Sequence, residues 1–226
     1  MMEGILLVDK PAGWTSHDVV AKIRKTLSQK LAKRIKVGHA GTLDPMATGL
    51  LIILVGGYTK RAGQFLKLDK TYECELTLGQ ISSTGDTDGK INHISDEIPK
   101  QSTIKKVLAE FIGIQKQTPP AYSAIKIKGQ AAYKLARAGR ELKMEPRVVT
   151  VYHLKITGYD YPKLRFTAEV SSGTYIRSLA ADIGARLGTG AYLSALRRTR
   201  IAKFRLEDAL TLDKINTASI NQHLQS

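Results

Sequence analysis

Gly38-His39-Ala40-Gly41-Thr42-Leu43-Asp44-Pro45-Met46-Ala47-Thr48-Gly49-Leu50-Leu51 sets one carboxylate among three glycines and then runs into an apolar segment. Proline biases the residue before it toward extended geometry, so Asp44 cannot easily continue a helix. Gly38, Gly41 and Gly49 permit turns and close backbone approach. Asp44 is therefore expected in a turn, presented rather than buried by default. An isolated Asp-Pro would be no more than a turn initiator. Directly after it, Leu50 to Val55 is a continuous apolar run bounded by Gly49 and Gly56-Gly57, the pattern of a fully buried strand.

On the N-terminal side, Gly4 to Asp9 reads as a short buried strand stopped by Lys10-Pro11-Ala12-Gly13. Ser16 then reads as the N-cap of a helix with Val19, Val20, Ile23 and Leu27 on one face. The other face and the connection after it carry Lys22, Arg24, Lys25, Lys30, Lys33, Arg34 and Lys36, with no acid between Asp18 and Asp44. A run of this kind is a solvated face or a phosphate track, and its position just before the Asp44 loop argues for the track. On the C-terminal side, Thr59 to Leu66, Ile104 to Ile112, Gln130 to Ala138 and Thr174 to Leu187 carry helical patterns. Tyr72 to Leu78, Val148 to Ile156 and Leu164 to Ser171 read as strands, and Arg197 to Arg205 is strongly basic. Strands and helices mix without sustained βαβ alternation, which predicts an α+β fold on a mixed, largely antiparallel sheet. No boundary or linker divides the chain, so a single domain over 1–226 is expected.

The chain has 226 residues, 42% of them hydrophobic, enough for a packed core. Lys and Arg number 35 against 20 Asp and Glu, for a formal charge of +15 and a sequence pI near 9.9. That is the electrostatic footprint of a nucleic-acid binder, and no basic amphipathic helix rich in Trp or Phe points to a membrane surface instead. The single cysteine, Cys74, excludes an intrachain disulfide and a multi-cysteine zinc site. The apolar run Ile5 to Val8 is too short for a signal peptide or a membrane span, so a cytoplasmic protein is expected. Asp86-Thr87-Asp88-Gly89 opens like a calcium loop but lacks the remaining ligands, and His39 has no second His or Cys at ligand spacing, so no metal is expected.

The Gly38 to Leu51 stretch resembles the signature G-H-x-G-T-L-D-P-x-A-x-G-x-L of the TruB family of pseudouridine synthases, with every fixed position present. Further motifs follow in family order: Val8 to Ser16, Lys70-Thr71-Tyr72, the loop ending Asp86 to Gly89, Pro119 to Lys126, Ser172 to Leu179, and Leu196-Arg197-Arg198. The resemblance implies a mixed sheet flanked by helices around a central RNA-binding cleft. It implies isomerisation of uridine 55 in the tRNA T loop to pseudouridine, without a cofactor, by base flipping and a covalent intermediate.

Carried onto this sequence, the resemblance makes Asp44 the nucleophile and Arg177 its positive partner. Arg177 taken alone would be a surface residue of an amphipathic helix. Tyr72 becomes the ring that stacks on the target uracil, and Tyr175 and Leu196 contact the flipped base. His39, read as a residue of the same loop as Asp44, packs where that base had been. Asp86 is the acid of the active-site loop, where Ser82-Ser83-Thr84 stands in place of the two threonines common in relatives. Lys10 and Pro11 shape the loop beneath the site, and Tyr122, Lys126, Arg197, Arg198 and Arg200 are the expected RNA backbone contacts. Only about twenty residues follow Arg205, too few for an independent core. The small C-terminal RNA-binding module of longer relatives is therefore expected to be missing, with more salt-sensitive tRNA binding as the consequence.

Two other functions compete. A tRNA-folding chaperone on the same scaffold would not need Asp44, Tyr72 and Arg177 together. A small-molecule glycoside hydrolase would need a second carboxylate, for which only Asp86 is available, and fits a +15 chain poorly. A monomer is expected.

Overall fold

The computed structural model describes residues 2–31, 35–123, 125–127, 129–140 and 142–225. Along the chain come β1 (Gly4–Lys10), α1 (Ser16–Leu31), β2 (Val37–Ala40), β3 (Thr48–Val55), a 3₁₀ turn (Gly56–Arg61), α2 (Ala62–Leu66), β4 (Lys70–Leu78), β5 (Gln80–Ser82) and β6 (Ile91–His93). Then follow α3 (Gln101–Glu110), β7 (Gly113–Gln117), β8 (Lys126–Ile127), β9 (Gln130–Ala131), α4 (Ala132–Arg137), β10 (Arg147–Asp160), β11 (Lys163–Val170), α5 (Ile176–Leu187), β12 (Ala191–Ile201), β13 (Phe204–Arg205), β14 (Leu210–Thr211) and α6 (Thr217–His223). The fold is α+β with a mixed sheet, as the irregular succession of patterns predicts. The chain folds as two compact units, residues 1–73 with 196–226 and residues 74–195.

In the first unit, β3 is the centre of the sheet. It pairs antiparallel with β1 from Gly4↔Val55 to Lys10↔Gly49, and antiparallel with β2 from Val37↔Val55 to Ala40↔Ile52. Seven of its eight residues are buried because both faces are covered, which is why the run lacks alternation. Val19, Val20, Ile23 and Leu27 of α1 pack with Leu6, Val8, Leu51 and Ile53 on one face, while Phe65, Ile201 and Phe204 join Leu7, Ile52 and Leu54 on the other. The last residues belong to the same core: β14 runs parallel to β1, and Leu210, Leu212, Ile215 and Ile220 are buried beside α1.

The helix cap differs by one residue from the expectation. The Thr15 hydroxyl accepts from the Asp18 amide at 3.1 Å, and the Asp18 carboxylate accepts from the Thr15 amide and hydroxyl at 2.8 and 2.7 Å. Thr15 and Asp18 thus make a reciprocal cap. Ser16, freed from capping, is turned into the core, where it is 2% exposed.

In the second unit, β10 pairs antiparallel with β11 on one side and with β7 on the other. A two-residue turn at Tyr161-Pro162 joins β10 to β11, so β10 runs four residues past Ile156, where its apolar pattern ends. Helix α5 ends at Gly188, in a left-handed conformation (φ 75°) that gives the helix its C-cap.

Candidate active site

Asp44 stands in the connection between β2 and β3, half-buried, at the first position of a turn closed by the Ala47 amide on its carbonyl at 3.1 Å. Buried side chains hold this connection at alternate points. Ser16 Oγ accepts from the Leu43 amide at 2.9 Å and lies 3.2 Å from the Leu43 carbonyl. Lys10, wholly buried, donates to the carbonyls of Pro11 (3.0 Å), Trp14 (2.6 Å) and Pro45 (3.3 Å). Arg198, 1% exposed, donates from Nε to the Leu50 carbonyl at 2.7 Å and from Nη2 to the Gly41 carbonyl at 3.0 Å, bridging the two ends of the loop.

Close backbone approach makes this bracing possible. Arg197 and Arg198 of β12 pair in parallel with Thr48 and Gly49 of β3. Gly49 has φ +99°, and a Cβ there would come within 2.3 Å of the Arg198 carbonyl oxygen. Glycine is required at Gly49 on both grounds.

The electrostatics of this unit centre on Arg198. Burial lowers the Lys10 ammonium to a pKa of about 8, with Arg198 pushing the same way and the Asp44 carboxylate opposing. Lys70, whose Nζ donates to the carbonyls of Leu66 and Leu68 at the end of α2, is likewise lowered by burial and Arg198 to about 8. His39 is lowered by burial first and then by Arg198 and His17, so its imidazole is neutral at pH 7. Its Nδ1 is buried with no hydrogen-bond partner among the described residues.

Three placements correct the sequence expectations. His39 is a strand residue, opposite Ile53 of β3, rather than part of the Asp44 loop. Arg198 is an internal brace and not a contact for RNA phosphate. The expected phosphate track on α1 is partly internal as well: Lys22 donates to the Leu212 carbonyl at 2.8 Å and Arg24 to the Val37 carbonyl at 3.1 Å. Lys33 and Arg34 of that run lie outside the described residues, as does Ala124 of the Pro119 to Lys126 motif. Arg197 pairs with Asp9 at 2.8 Å, and Arg200, exposed, donates to the Ala202 carbonyl.

Tyr72 is 8% exposed on β4, and Leu196 is half-buried on β12, its carbonyl 3.5 Å from the Thr48 hydroxyl. The first unit thus carries Lys10, His39, Asp44, Tyr72 and Leu196, and the second carries Asp86, Lys126, Tyr175 and Arg177. Lys126 is exposed on β8.

In the second unit Arg177, on the first turn of α5, is 6% exposed rather than on the helix surface. Its Nη1 lies 3.2 Å from Asp86 Oδ2 and donates to the Thr84 carbonyl at 3.1 Å, and its Nη2 donates to the Tyr122 carbonyl at 2.6 Å. Asp86 is held in turn by the Thr84 hydroxyl (2.5 Å) and the Asp88 amide (3.1 Å) on Oδ1. Thr84 also bonds with Ser82 Oγ, so the serine-containing loop makes its own hydrogen bonds. Tyr175, the N-cap of α5, has no capping side chain of its own. The buried amide of Gln117 serves both its backbone groups, accepting from the Tyr175 amide at 2.8 Å and donating to its carbonyl at 3.1 Å.

Sequence reasoning missed Gln117 altogether, and for Ser16, Lys70 and Arg198 it missed the backbone carbonyls and amide that their side chains hold. Asp18, three residues after Thr15, is the signal that would have assigned the cap and freed Ser16. No local signal marks Gln117. Among the described residues no cluster of three or more His, Cys, Asp or Glu could hold a metal, and no helix is long and apolar enough to cross a membrane.

Residues 24–176 match the model of the TruB family pseudouridylate synthase N-terminal domain, and residues 177–226 match that of the tRNA pseudouridylate synthase B C-terminal domain. Similar proteins include tRNA pseudouridine synthase B of Opitutus terrae, 47% identical over 95% of this chain and 87% of the relative. That of Thermobifida fusca is 44% identical over 95% of this chain and 75% of the relative. Among solved structures, a chain of a Cbf5-Nop10-Gar1 complex matches with TM-score 0.71 and 33% identity, over 93% of this chain and 52% of that one. With one family model spanning most of its length and relatives of this identity matching 95% of it, the chain belongs to the TruB family of pseudouridine synthases, which are isomerases.

Proposed function

We propose that this chain converts uridine 55 in the T loop of tRNA to pseudouridine, with Asp44 as the nucleophile. The observation that carries the assignment is the Asp44 turn, fixed by Lys10, Ser16 and Arg198 through backbone groups on both sides of the carboxylate. A nucleophile that must meet one carbon of an extruded nucleotide gains most from such bracing. The +15 charge and the relatives' names support tRNA as the substrate.

In the reaction the N1–C1′ bond breaks, the uracil turns, and a C5–C1′ bond forms; C5 loses its proton and N1 gains one. The carboxylate of Asp44 adds at C1′ or C6 to give the covalent intermediate. Arg177 supplies the positive charge that keeps this carboxylate ionised when the base displaces water, and Asp86 fixes the Arg177 fork. Tyr72 stacks on the uracil and takes the C5 proton. Tyr175 and Leu196 line the base, and neutral His39 fills the gap left by extrusion. Lys126 contacts the RNA backbone. The reading takes residues 1–226 as one catalytic domain that works without a cofactor.

Tritium release from transcribed tRNA carrying [5-³H]uridine tests the assignment. Wild type and Asp44→Asn are compared at equal, verified tRNA binding, with a U55→C transcript as the site control. Release by wild type alone, abolished in the U55→C transcript, is expected. Tight binding without release from either protein would support a tRNA-folding chaperone instead.

A further inference from the structure

We infer that Ser16 is a positioning residue for catalysis: its hydroxyl latches the backbone of Leu43 and thereby sets the Asp44 carboxylate. The inference rests on Asp44 being the nucleophile. Ser16 is the first residue of α1 and would ordinarily serve that helix, yet Thr15 and Asp18 complete the cap without it. Its side chain is 2% exposed and spans 27 residues of sequence to meet both polar groups of Leu43, the amide at 2.9 Å and the carbonyl at 3.2 Å. A hydroxyl can accept from one and donate to the other, so the pair is reciprocal. Leu43 is itself 3% exposed, and Ser16 is the partner the structure gives its buried amide.

The geometry ties the latch to chemistry rather than to folding alone. Leu43 precedes Asp44 directly, so its carbonyl and the Asp44 amide share one rigid peptide plane. Rotation of that plane swings the Asp44 side chain. Lys10 grips the chain at Pro45 and Arg198 at Gly41, which leaves the peptide entering Asp44 to Ser16 alone among these braces. Displacement of a reacting group by about 1 Å costs on the order of 100-fold in rate.

Thr15→Ala and Ser16→Ala separate the two roles. Thr15→Ala removes the cap of α1 and spares the latch, while Ser16→Ala opens the latch and spares the cap. Single-turnover pseudouridine formation is measured at saturating tRNA, beside tRNA affinity and thermal unfolding, with Asp44→Asn in parallel. Ser16→Ala is expected to slow the chemical step by about 10- to 100-fold with tRNA affinity retained. Thr15→Ala is expected to lower the unfolding temperature and leave the rate within about twofold. Ser16→Cys, whose thiol is a weak donor and acceptor, should fall between wild type and Ser16→Ala, and it decides the matter if the alanine variant does not fold. A Ser16 variant that is folded, less stable and as fast as Thr15→Ala would overturn the latch while leaving Asp44 in place. An Asp44→Asn enzyme as fast as wild type would overturn the nucleophile and the latch together.

Discussion

Nη1 of Arg177 lies 3.2 Å from Oδ2 of Asp86, and neither side chain is more than 7% exposed. Removing one member of a buried pair leaves the other charge uncompensated, at a cost of about 3–5 kcal/mol. Asp86→Asn keeps the size and an acceptor for the Thr84 hydroxyl and the Asp88 amide, and it removes the charge together with the oxygen that faces Arg177. We expect a clear drop in unfolding temperature by calorimetry. We also expect single-turnover pseudouridine formation slower by about tenfold or more, because a loosened guanidinium forfeits more than about 1.4 kcal/mol at the transition state. A variant with wild-type rate and lowered stability would reduce the pair to a structural role.

Arg198 separates internal from surface basic residues. Its guanidinium is bound to the Leu50 and Gly41 carbonyls in the interior, so Arg198→Met should destabilise the first unit by several kcal/mol and leave the salt dependence of tRNA binding unchanged. Lys126→Ala should do the reverse, sparing stability and reducing the slope of log affinity against log salt by about one. Binding isotherms over a salt series and denaturant unfolding check both. An altered slope for a folded Arg198→Met would return Arg198 to the RNA surface.

What the sequence makes legible follows from range. The β3 run and the α1 face are written in local periodicity, and they stand where expected. The Asp44 turn is legible because proline and glycine act locally. The parallel pairing of Arg198 with Gly49 joins residues far apart in the chain, and no local pattern encodes it. That long-range contact also hid the burial of Arg198, since a run of arginines and lysines looks like a solvated surface from sequence. His39 was placed in the loop because flanking glycines mask a four-residue strand. Arg177 shows the opposite case: an amphipathic pattern alone puts it on the helix surface, and its burial comes from the Asp86 loop, which no helical periodicity encodes.

Gly49 and Gly13 form a controlled comparison. Both have positive φ, +99° and +80°, but a Cβ on Gly49 would meet the Arg198 carbonyl oxygen at 2.3 Å, while one on Gly13 would meet nothing within 4 Å among the described residues. Gly13→Ala should cost the left-handed backbone penalty alone, roughly 1–2 kcal/mol. Gly49→Ala must in addition push β12 away from β3 and should cost more than about 3 kcal/mol, with loss of activity because the Arg198 brace moves with the strand. Equal unfolding free energies for the two variants would contradict the close approach.

Lys10 and Lys70 make stability depend on alkaline pH with a defined sign. Each has a folded pKa of about 8 against the ordinary lysine value of 10.5, so between these values the unfolded chain binds more protons than the folded one. Stability from these two groups therefore rises as pH climbs from about 8 to 10.5, and it is lowest and flat below 8, where both states carry the charge. The relief is at most about 3 kcal/mol for each lysine, since one pKa unit corresponds to about 1.4 kcal/mol. Lys10→Met loses the Pro45 tether at every pH but should also remove one lysine's share of the slope. Urea unfolding from pH 7 to 10 measures the difference between wild type and variant, in which the other titrating groups cancel. A difference that stays constant across this range would mean that Lys10 keeps an ordinary ammonium pKa despite its burial.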